Sequence, residues 1–205
     1  MGLRAIGVVL PLATLAFATA GVAMPATEAT HPCDRPGATV VKNRFVRVYH
    51  DEDLFACSYE SRRTVSVGFV ASSSSGFFDS FGFELAGRFV AYNRVECIGS
   101  SGAACVDELR VVDMGRLKQT MRHRFAEDDR SRRVVLKANG SVAYLVTKTD
   151  PYGHPTGFAA LHRRDRRGRW TLAAGTGDAA PRDLRLVGST LHWREGERER
   201  TKTLQ

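Results

Sequence analysis

The chain has 205 residues, of which 43% are hydrophobic and 25% charged, and its formal net charge at neutral pH is +8. This length supports one domain with a real hydrophobic core. After the first two dozen residues, no apolar stretch approaches the about 20 residues of a spanning helix, which excludes a multi-span membrane protein. The basic residues are 25 arginines and 5 lysines, spread along the whole chain. That spread favours a solvated surface, with a polyanionic partner as the alternative.

Residues 1–23 have the pattern of an export signal. Arg4 precedes an apolar run, and small residues follow, so that cleavage is expected after Ala20 or Ala23. An uncleaved anchor is the weaker alternative, because the apolar run is too short to span a bilayer. We therefore expect a secreted or extracytoplasmic protein of the cell envelope, without stable membrane insertion after cleavage, that begins with a flexible lead-in over residues 24–37.

The four cysteines are Cys33, Cys57, Cys97 and Cys105. In an oxidising compartment, an even number of cysteines predicts disulfides. We favour Cys97–Cys105, because the Gly/Ser loop between them must bring its ends together if the flanking segments form a hairpin. The pair Cys33–Cys57 then follows by elimination. Metal binding or free thiols are the alternative, but no Cys-x-x-Cys or spaced Cys/His pattern supports a metal site.

A ten-residue pattern recurs along the chain: two short strands joined at a glycine, the second ending in an aromatic residue. Its copies are residues 83–92, 135–144 and 184–193, and a looser copy at 53–57 has Cys57 in the aromatic position. The anchors Cys57, Tyr92, Tyr144 and Trp193 are 35, 52 and 49 residues apart. Such recurrence predicts a repeat architecture.

The repeats group into four units, at about residues 38–70, 81–125, 132–175 and 181–205, with the serine-rich stretch Ser72–Gly76 as a linker. Alternation of polar and apolar residues within the units is the period of half-buried strands. No ten-residue stretch after the export signal has a sustained helical period. We therefore predict an all-β chain of about 13 to 15 short strands. The last unit is one strand short, and Ala38–Val41 is predicted to supply that strand and close the array.

The pattern Gly-x-apolar-Ala-Tyr in the second strands, together with the Asp-x-x-Gly hairpin at Asp165–Gly168, resembles bacterial secreted β-propeller-like proteins of the broad TolB/WD40-like type. The resemblance covers most of residues 38–205 and concerns the fold. The chain lacks the Trp-Asp dipeptide of true WD40 repeats and an Asp-x-Asp-x-Asp calcium loop. What the resemblance implies is a small or irregular four-unit propeller, and a β-sandwich is the alternative.

Three places in the sequence are candidates for binding. Tyr152 and His154 lie in an inserted loop, and inserted loops on one face of a repeat fold often carry binding residues. His192 replaces the alanine of the repeat and would be titratable near neutral pH in a central channel. The third place is an arginine-rich hairpin suited to phosphate or acidic polymers. Its arginines are Arg163, Arg164, Arg166, Arg167 and Arg169. For each place, a plain structural role is the alternative.

No nucleophile elbow, phosphate loop, metal motif or acid pair is present in the sequence. We therefore predict no catalytic residue, no metal and no cofactor. The leading hypothesis is a non-enzymatic extracytoplasmic domain that binds or scaffolds an unknown protein or an envelope polymer, with no specific nucleic acid as partner. The alternatives are a hydrolase or lyase that uses His192 or His154 in a channel, and a polyanion-binding envelope protein.

Overall fold

The computed structural model describes residues 31–69, 71–73, 76–98, 104–150, 152 and 154–205. The described part is built almost entirely of antiparallel strands, with two single 3₁₀ turns at Pro32–Asp34 and Gly177–Ala179. The prediction of an all-β chain is thus confirmed. The predicted export signal lies outside the described residues. In the part that is described, no helix has the length and apolar character needed to cross a bilayer.

Sixteen strands of the described part form four sheets, in which strands that follow one another in sequence also pair in space. The first sheet contains β1 (Ala38–Lys42), β2 (Val46–Asp51), β3 (Asp53–Ser58) and β4 (Arg63–Phe69). The second contains β5 (Ala71–Ser73), β6 (Gly76–Ala86), β7 (Phe89–Ile98), β8 (Ala104–Asp113) and β9 (Lys118–Arg124). The third contains β10 (Asp129–Leu136), β11 (Val142–Thr149), β12 (Pro155–Asp165) and β13 (Gly168–Thr176). The fourth contains β14 (Pro181–Val187), β15 (Thr190–Glu195) and β16 (Arg198–Thr203).

The glycine of each repeat has a conformational role in its hairpin. Gly87, Gly140 and Gly188 all have positive φ, at 56°, 85° and 60°, a region that side chains with a Cβ rarely adopt. At Gly140 space is also lacking, because an added Cβ would lie 2.7 Å from the Phe89 ring. The glycine of the repeat therefore allows a tight turn, and at Gly140 it also lets the second and third sheets approach.

Each second strand of a repeat contributes to two hydrophobic cores. Tyr92 packs in the core shared by the first and second sheets, and Ala91 packs in the core shared by the second and third. One sheet further on, Tyr144 packs against the second sheet and Ala143 against the fourth. The four sheets therefore stack face to face in chain order. The aromatic residue of each repeat faces the preceding sheet, and the small residue before it faces the next one.

The two ends of this stack differ in the residues on their outer faces. On the outer face of the first sheet, Cys57 takes the aromatic position and packs with Cys33 and Tyr49. On the fourth sheet, Trp193 packs back onto the third sheet, while His192 lies on the other face of the strand. In the described residues, no core cluster joins the fourth sheet to the first.

The predicted closure by Ala38–Val41 is wrong. These residues belong to β1, which pairs with β2 in the first sheet, and the fourth sheet has three strands. The Asn43 carboxamide oxygen accepts hydrogen bonds from the backbone N–H groups of Phe45 and Val46, at 2.8 and 2.9 Å. A short local hairpin of this kind closes at a lower entropic cost than pairing with a distant sheet.

The stretch Ser72–Gly76, predicted as a linker, is also different in the structure. Ala71–Ser73 forms β5, which pairs with the start of β6 at Gly76, and β6 in turn pairs with β7 from Gly76↔Ile98 to Ala86↔Phe89. The second sheet therefore begins well before the expected Phe81. Backbone hydrogen bonds to the long partner strand β7 extend β6, and a serine-rich composition does not prevent them.

The chain before the first sheet is anchored at its described end. Cys33 and Cys57 form a disulfide, as predicted. The Arg47 guanidinium donates to the carbonyl oxygens of Cys33, Arg35 and Gly37, at 2.6, 2.9 and 2.7 Å. Residues 33–37 are thereby held against β2.

The second pair of cysteines lies at the β7–β8 connection. Cys105 is disulfide-bonded, and the strand register places its backbone directly opposite Cys97. The side chain of Cys97 and the loop 99–103 lie outside the described part of the chain, so the pairing Cys97–Cys105 stays a prediction.

Candidate functional site

The β1–β2, β6–β7, β10–β11 and β14–β15 turns lie at one end of the stack, which we call the turn end. There the Asn43 carboxamide donates to the Gly87 carbonyl oxygen at 3.0 Å and connects the first sheet to the second. The Lys137 ammonium donates to the Leu204 carbonyl oxygen at 2.6 Å and connects the third sheet to the fourth. Ser141 donates to the carbonyl oxygen of Gln205 at the same end. The turns of different repeats are therefore fixed against one another.

Two adjoining clefts open at the turn end, with volumes of about 680 and 340 Å³. Both are lined by Arg88, Phe89, Asn139 and Arg166, so we treat them together as the turn cleft. The first sheet contributes Asn43, Arg44, Phe45 and Glu60, the second Gly87, Asp113, Arg116, Thr120 and Met121, and the third Ala138, Gly140, Ser141, Arg164 and Asp165. A ligand in the turn cleft would contact three repeats at once.

Arginines dominate the charge of the turn cleft. Arg88 is paired with the buried Asp113, at 2.8 Å between Nε and Oδ1. Arg44, Arg164 and Arg166 have no carboxylate within 4.0 Å among the described residues. Arginine forks without an internal partner are suited to bind carboxylate or phosphate oxygens. The turn cleft thus has a positive potential that an anionic ligand would neutralise.

The arginine-rich hairpin of β12 and β13 does not act as one cluster. Alternation along β12 places Arg163 on the face toward the fourth sheet and Arg164 on the face toward the second. Arg164 and Arg166 line the turn cleft. Arg167 and Arg169 are exposed, and Arg169 contacts a histidine of the second sheet.

Arg163 has a structural role. Its side chain is 13% exposed, stacks over the Trp170 ring at 4.7 Å and donates to the Thr203 carbonyl oxygen at 3.0 Å. It lies 3.9 Å from the fully buried Asp165 carboxylate, whose other oxygen accepts from the backbone N–H of Arg167. Arg163 therefore holds the third and fourth sheets together and is not available to a ligand.

A second polar cluster lies between the second and third sheets, next to the turn cleft. Tyr144 of β11 is completely buried, and its ring lies between His123 of β9 and His162 of β12, with ring centroids 5.5 and 5.3 Å away. Arg169 Nη1 is 3.2 Å from His123 Nδ1, and Thr171 Oγ1 is 3.1 Å from His162 Nδ1. We call this set, with Arg164, the histidine cluster.

The charges around the histidine cluster are positive. The pKa of His123 is lowered to about 4, mainly by burial and in addition by the charges of Arg169, His162 and Arg164. Burial and Arg169 also lower the pKa of His162. Because an arginine can only donate, His123 Nδ1 must accept, so at neutral pH the imidazole is uncharged and carries its proton on Nε2.

This arrangement predicts acid sensitivity. Since the folded-state pKa of His123 lies near 4, below its ordinary value of 6.5, the unfolded chain takes up the proton first. The contribution of neutral His123 to the stability of the folded protein is therefore present above pH 6.5. It is lost as the pH falls from about 6.5 to 4. We expect a loss on the order of 2 kcal/mol over this range, since one pKa unit corresponds to about 1.4 kcal/mol.

Urea unfolding of the wild type and of His123→Gln between pH 7.5 and 4 measures this contribution. The variant should lose less stability over the same range. Because His162, Arg164 and Arg169 are present in both proteins, the difference isolates His123. Parallel pH profiles for the two proteins would contradict the assignment.

The inserted loop is at the opposite end of the stack from the turn cleft. Tyr152 is 85% exposed. His154 Nδ1 lies 3.2 Å from Asp150 Oδ2, and the Asp150 Oδ1 atom accepts from the backbone N–H groups of Tyr152 and His154. The carboxylate thus shapes the loop. Pro151 and Gly153 lie outside the described residues.

His192 is on the face of the fourth sheet that no other described sheet covers. Its Nδ1 atom is 2.9 Å from Glu199, which Arg185 also contacts at 2.6 Å. Ala91 and Ala143, which occupy the same repeat position, are fully buried between two sheets. The histidine fits at this position because the fourth sheet is the last of the stack. His192 therefore lies at a sheet surface, beside the carboxylate of Glu199.

One group of potential metal ligands exists among the described residues, and it consists of His31, Cys33 and Cys57. The two sulfur atoms are joined in the disulfide and are not thiolates, the form in which cysteine binds metals. His31 instead receives a hydrogen bond from the Cys33 backbone N–H at 3.1 Å.

Sequence reasoning missed the histidine cluster. His123 and His162 are 39 residues apart, and no spacing rule relates them. A signal was present nevertheless, because Tyr144 is a repeat anchor and His162 falls opposite it in a β11–β12 hairpin.

No known protein family and no curated protein matches this chain at a significant level.

Proposed function

We propose that the protein is an extracytoplasmic, propeller-like binding domain rather than an enzyme, and that it binds an anionic ligand in the turn cleft. The observation that carries this proposal is the convergence of Arg44, Arg164 and Arg166 from two sheets on one cleft, without carboxylate partners among the described residues. The TolB/WD40-like resemblance is retained as a proposal about the fold.

The arrangement of the sheets supports a propeller-like description. One strand of each sheet contacts its counterpart in the next sheet, since β6 contacts β1 and β10, and β10 contacts β14. Successive sheets also pack face to face through the shared cores described above. Propeller blades are arranged in this way around an axis. In the described residues the first and fourth sheets share no core, so we propose an open array of four blades.

The extracytoplasmic location is supported by the disulfide between Cys33 and Cys57. Disulfides form and persist in oxidising compartments and are rare in the reducing cytosol. The predicted export signal at residues 1–23 is in agreement with this location.

Binding of heparin, used as a soluble anionic polymer, tests the proposal. We expect Arg44→Ser/Arg166→Ser to weaken binding at least about tenfold, because hydrogen bonds between charged groups are worth about 1.5–3 kcal/mol each. The slope of log affinity against log salt should also decrease by about 2, since two fewer counterions are released. Arg163 is left intact, because its replacement would disturb the contact between the third and fourth sheets.

The matched control is Arg194→Ser/Arg198→Ser. It removes the same charge from exposed positions in the fourth sheet, which does not line the turn cleft. If the protein binds polymers only through its overall charge, both double variants will weaken binding equally. That result would reject the turn cleft as the binding site.

A further inference from the structure

We propose that the free edge of the fourth sheet binds an extended acidic segment of a partner protein as an additional β-strand. This free edge is β16 (Arg198–Thr203), and all its residues are exposed. It lies outside the turn cleft. The proposal therefore goes beyond the anionic ligand of the turn cleft and does not depend on it.

The first argument is that the fourth sheet lacks an outer strand. Its β14–β15 pair contains a copy of the repeat, as β10–β11 does in the third sheet, so β16 takes the place of β12. A counterpart of β13 is missing among the described residues. At this place a cleft of about 750 Å³ opens between the two sheets. Its lining includes Leu172, Ala173 and Ala174 of β13, and Arg198 and Arg200 of β16.

The second argument is that the backbone of β16 has free hydrogen-bonding groups. The N–H of Leu204, which follows β16, donates to a carbonyl oxygen of the β14–β15 turn at 2.8 Å. Since hydrogen bonds to one neighbour alternate along an antiparallel strand, Glu199, Thr201 and Thr203 point their N–H and C=O groups away from β15. The Thr203 carbonyl oxygen accepts from Arg163, whereas the described residues provide no partner for the backbone of Glu199 and Thr201. Such an unpaired row is a template for another strand.

The third argument is the charge of the face that an added strand would share. Alternation along β16 places Arg198, Arg200 and Lys202 on the face toward the third sheet. Arg200 is paired with Glu195, at 3.3 Å between Nε and Oε2. Arg198 and Lys202 have no carboxylate within 4.0 Å among the described residues. Opposite charges on directly opposing residues stabilise a strand pair, so acidic residues fit opposite these two, with a small apolar residue between them.

The same charges disfavour a second copy of β16 as the added strand. In a symmetric antiparallel pair, each residue opposes a residue on the same face of the other copy. In every register that pairs most of β16, at least one of its basic side chains therefore opposes another basic side chain. Like charges in directly opposing positions destabilise a strand pair. The free edge is thus protected against self-association and open to an acidic strand.

Binding of the synthetic peptide Thr-Glu-Thr-Val-Thr-Glu-Thr, blocked at both ends, to the full chain tests the proposal. Its glutamates would oppose Arg198 and Lys202, and its valine would oppose Arg200. We expect fluorescence anisotropy to give saturable binding that weakens about tenfold when both glutamates are replaced by glutamine. If the glutamate peptide does not bind saturably, the proposal is wrong.

Methylation of the peptide backbone distinguishes a paired strand from a charged ligand. The two central threonines would oppose Glu199 and Thr201, so their N–H groups face β16, whereas those of the glutamates and the valine face away. N-methylation of the central threonines should abolish binding, and N-methylation of the glutamates and the valine should have little effect. Equal binding of the two methylated peptides would overturn the proposal, because only a paired strand has two different edges.

Arg198→Ser/Lys202→Ser tests the charge pairing. This variant should bind the glutamate peptide and the glutamine peptide with the same affinity. The matched control Arg63→Ser/Lys118→Ser removes one arginine and one lysine from exposed positions in the first two sheets, and it should keep the preference for glutamate. If both double variants lose the preference equally, the peptide is held only by the overall charge and the proposal fails.

The turn cleft and a second copy are tested with the same peptide. Arg44→Ser/Arg166→Ser should bind the peptide with nearly the affinity of the wild type, so the free edge and the turn cleft can fail separately. Sedimentation of the protein at increasing concentration, with and without the peptide, measures self-association. An association that competes with the peptide would identify a second copy as the occupant of the free edge and would overturn the proposal.

Discussion

Replacing both Cys33 and Cys57 by alanine is expected to lower the free energy of unfolding by about 3.5 kcal/mol. The two cysteines are separated by 24 positions in sequence, and the entropy of closing a loop of this size in the unfolded chain gives that value. Urea unfolding of the oxidised wild type and the double variant measures the difference. Typical domains have a total stability of about 5–15 kcal/mol, so the expected loss is roughly a quarter to two thirds of that total.

The disulfide also completes the outer face of the first sheet. Cys57 is fully buried and Cys33 is 1% exposed, and together with Tyr49 they form the small core at this end of the stack. A useful comparison is the double replacement of Cys97 and Cys105, whose shorter predicted ring corresponds to about 2.5 kcal/mol. A loss below about 1 kcal/mol for Cys33 and Cys57 would show that this segment contributes little to the folded state.

The repeat and its strands could be predicted because they depend on local features. A glycine with positive φ at Gly87, Gly140 and Gly188 marks each hairpin. Apolar alternation on both sides of it marks strands that lie between two sheets. The same logic explains the two exceptions in the repeat, Cys57 and His192. Cys57 and His192 lie on the outer faces of the first and last sheets, which have no neighbouring sheet to pack against. These positions can be recognised only when the order of the sheets is known.

Three features were not predicted, and the last of them depends on contacts between residues distant in sequence. The pairing of β1 with β2 depends on Asn43, whose side chain closes that turn. The arginine-rich hairpin looked like one charged surface, although alternation along β12 sends Arg163 and Arg164 to opposite faces. The histidine cluster requires β9 of the second sheet to pack on the third, and no local pattern in the sequence specifies that contact.

The second large effect is expected at Glu108, which is buried in the second sheet with 2% of its side chain exposed. Its Oε2 atom accepts from Arg110 Nε and Nη2, at 3.0 and 2.6 Å. Its Oε1 atom accepts from Arg122 Nε at 2.9 Å, and Arg124 lies 3.7 Å away. One carboxylate therefore pairs with three arginines on β8 and β9.

Glu108→Gln is expected to lower the free energy of unfolding by about 3 kcal/mol, the lower end of the range for breaking a buried ion pair. The variant keeps the size of the side chain but leaves Arg110, only 16% exposed, without its countercharge. Arg122 and Arg124 are 53% and 63% exposed and can be rehydrated, so the upper end of that range does not apply.

The matched control is Glu96→Gln on the neighbouring strand β7. Glu96 is 33% exposed and lies 3.9 Å from Arg94, so its removal should change stability by no more than about 1 kcal/mol. If the two variants are equally stable, the cost at Glu108 does not come from a buried ion cluster.

The pH dependence of the Glu108→Gln effect gives a further check. Burial on its own would raise the pKa of Glu108, but the hydrogen bonds and charges of Arg122 and Arg110 outweigh burial and lower it. A carboxyl with a lowered folded-state pKa stabilises above the ordinary value of 4.5 and loses this contribution as the pH falls through the folded-state pKa. The stability difference between wild type and Glu108→Gln should therefore be full at pH 7 and shrink in acid. A difference that stays constant down to pH 2 would mean that the variant acts through packing, not through the charge of Glu108.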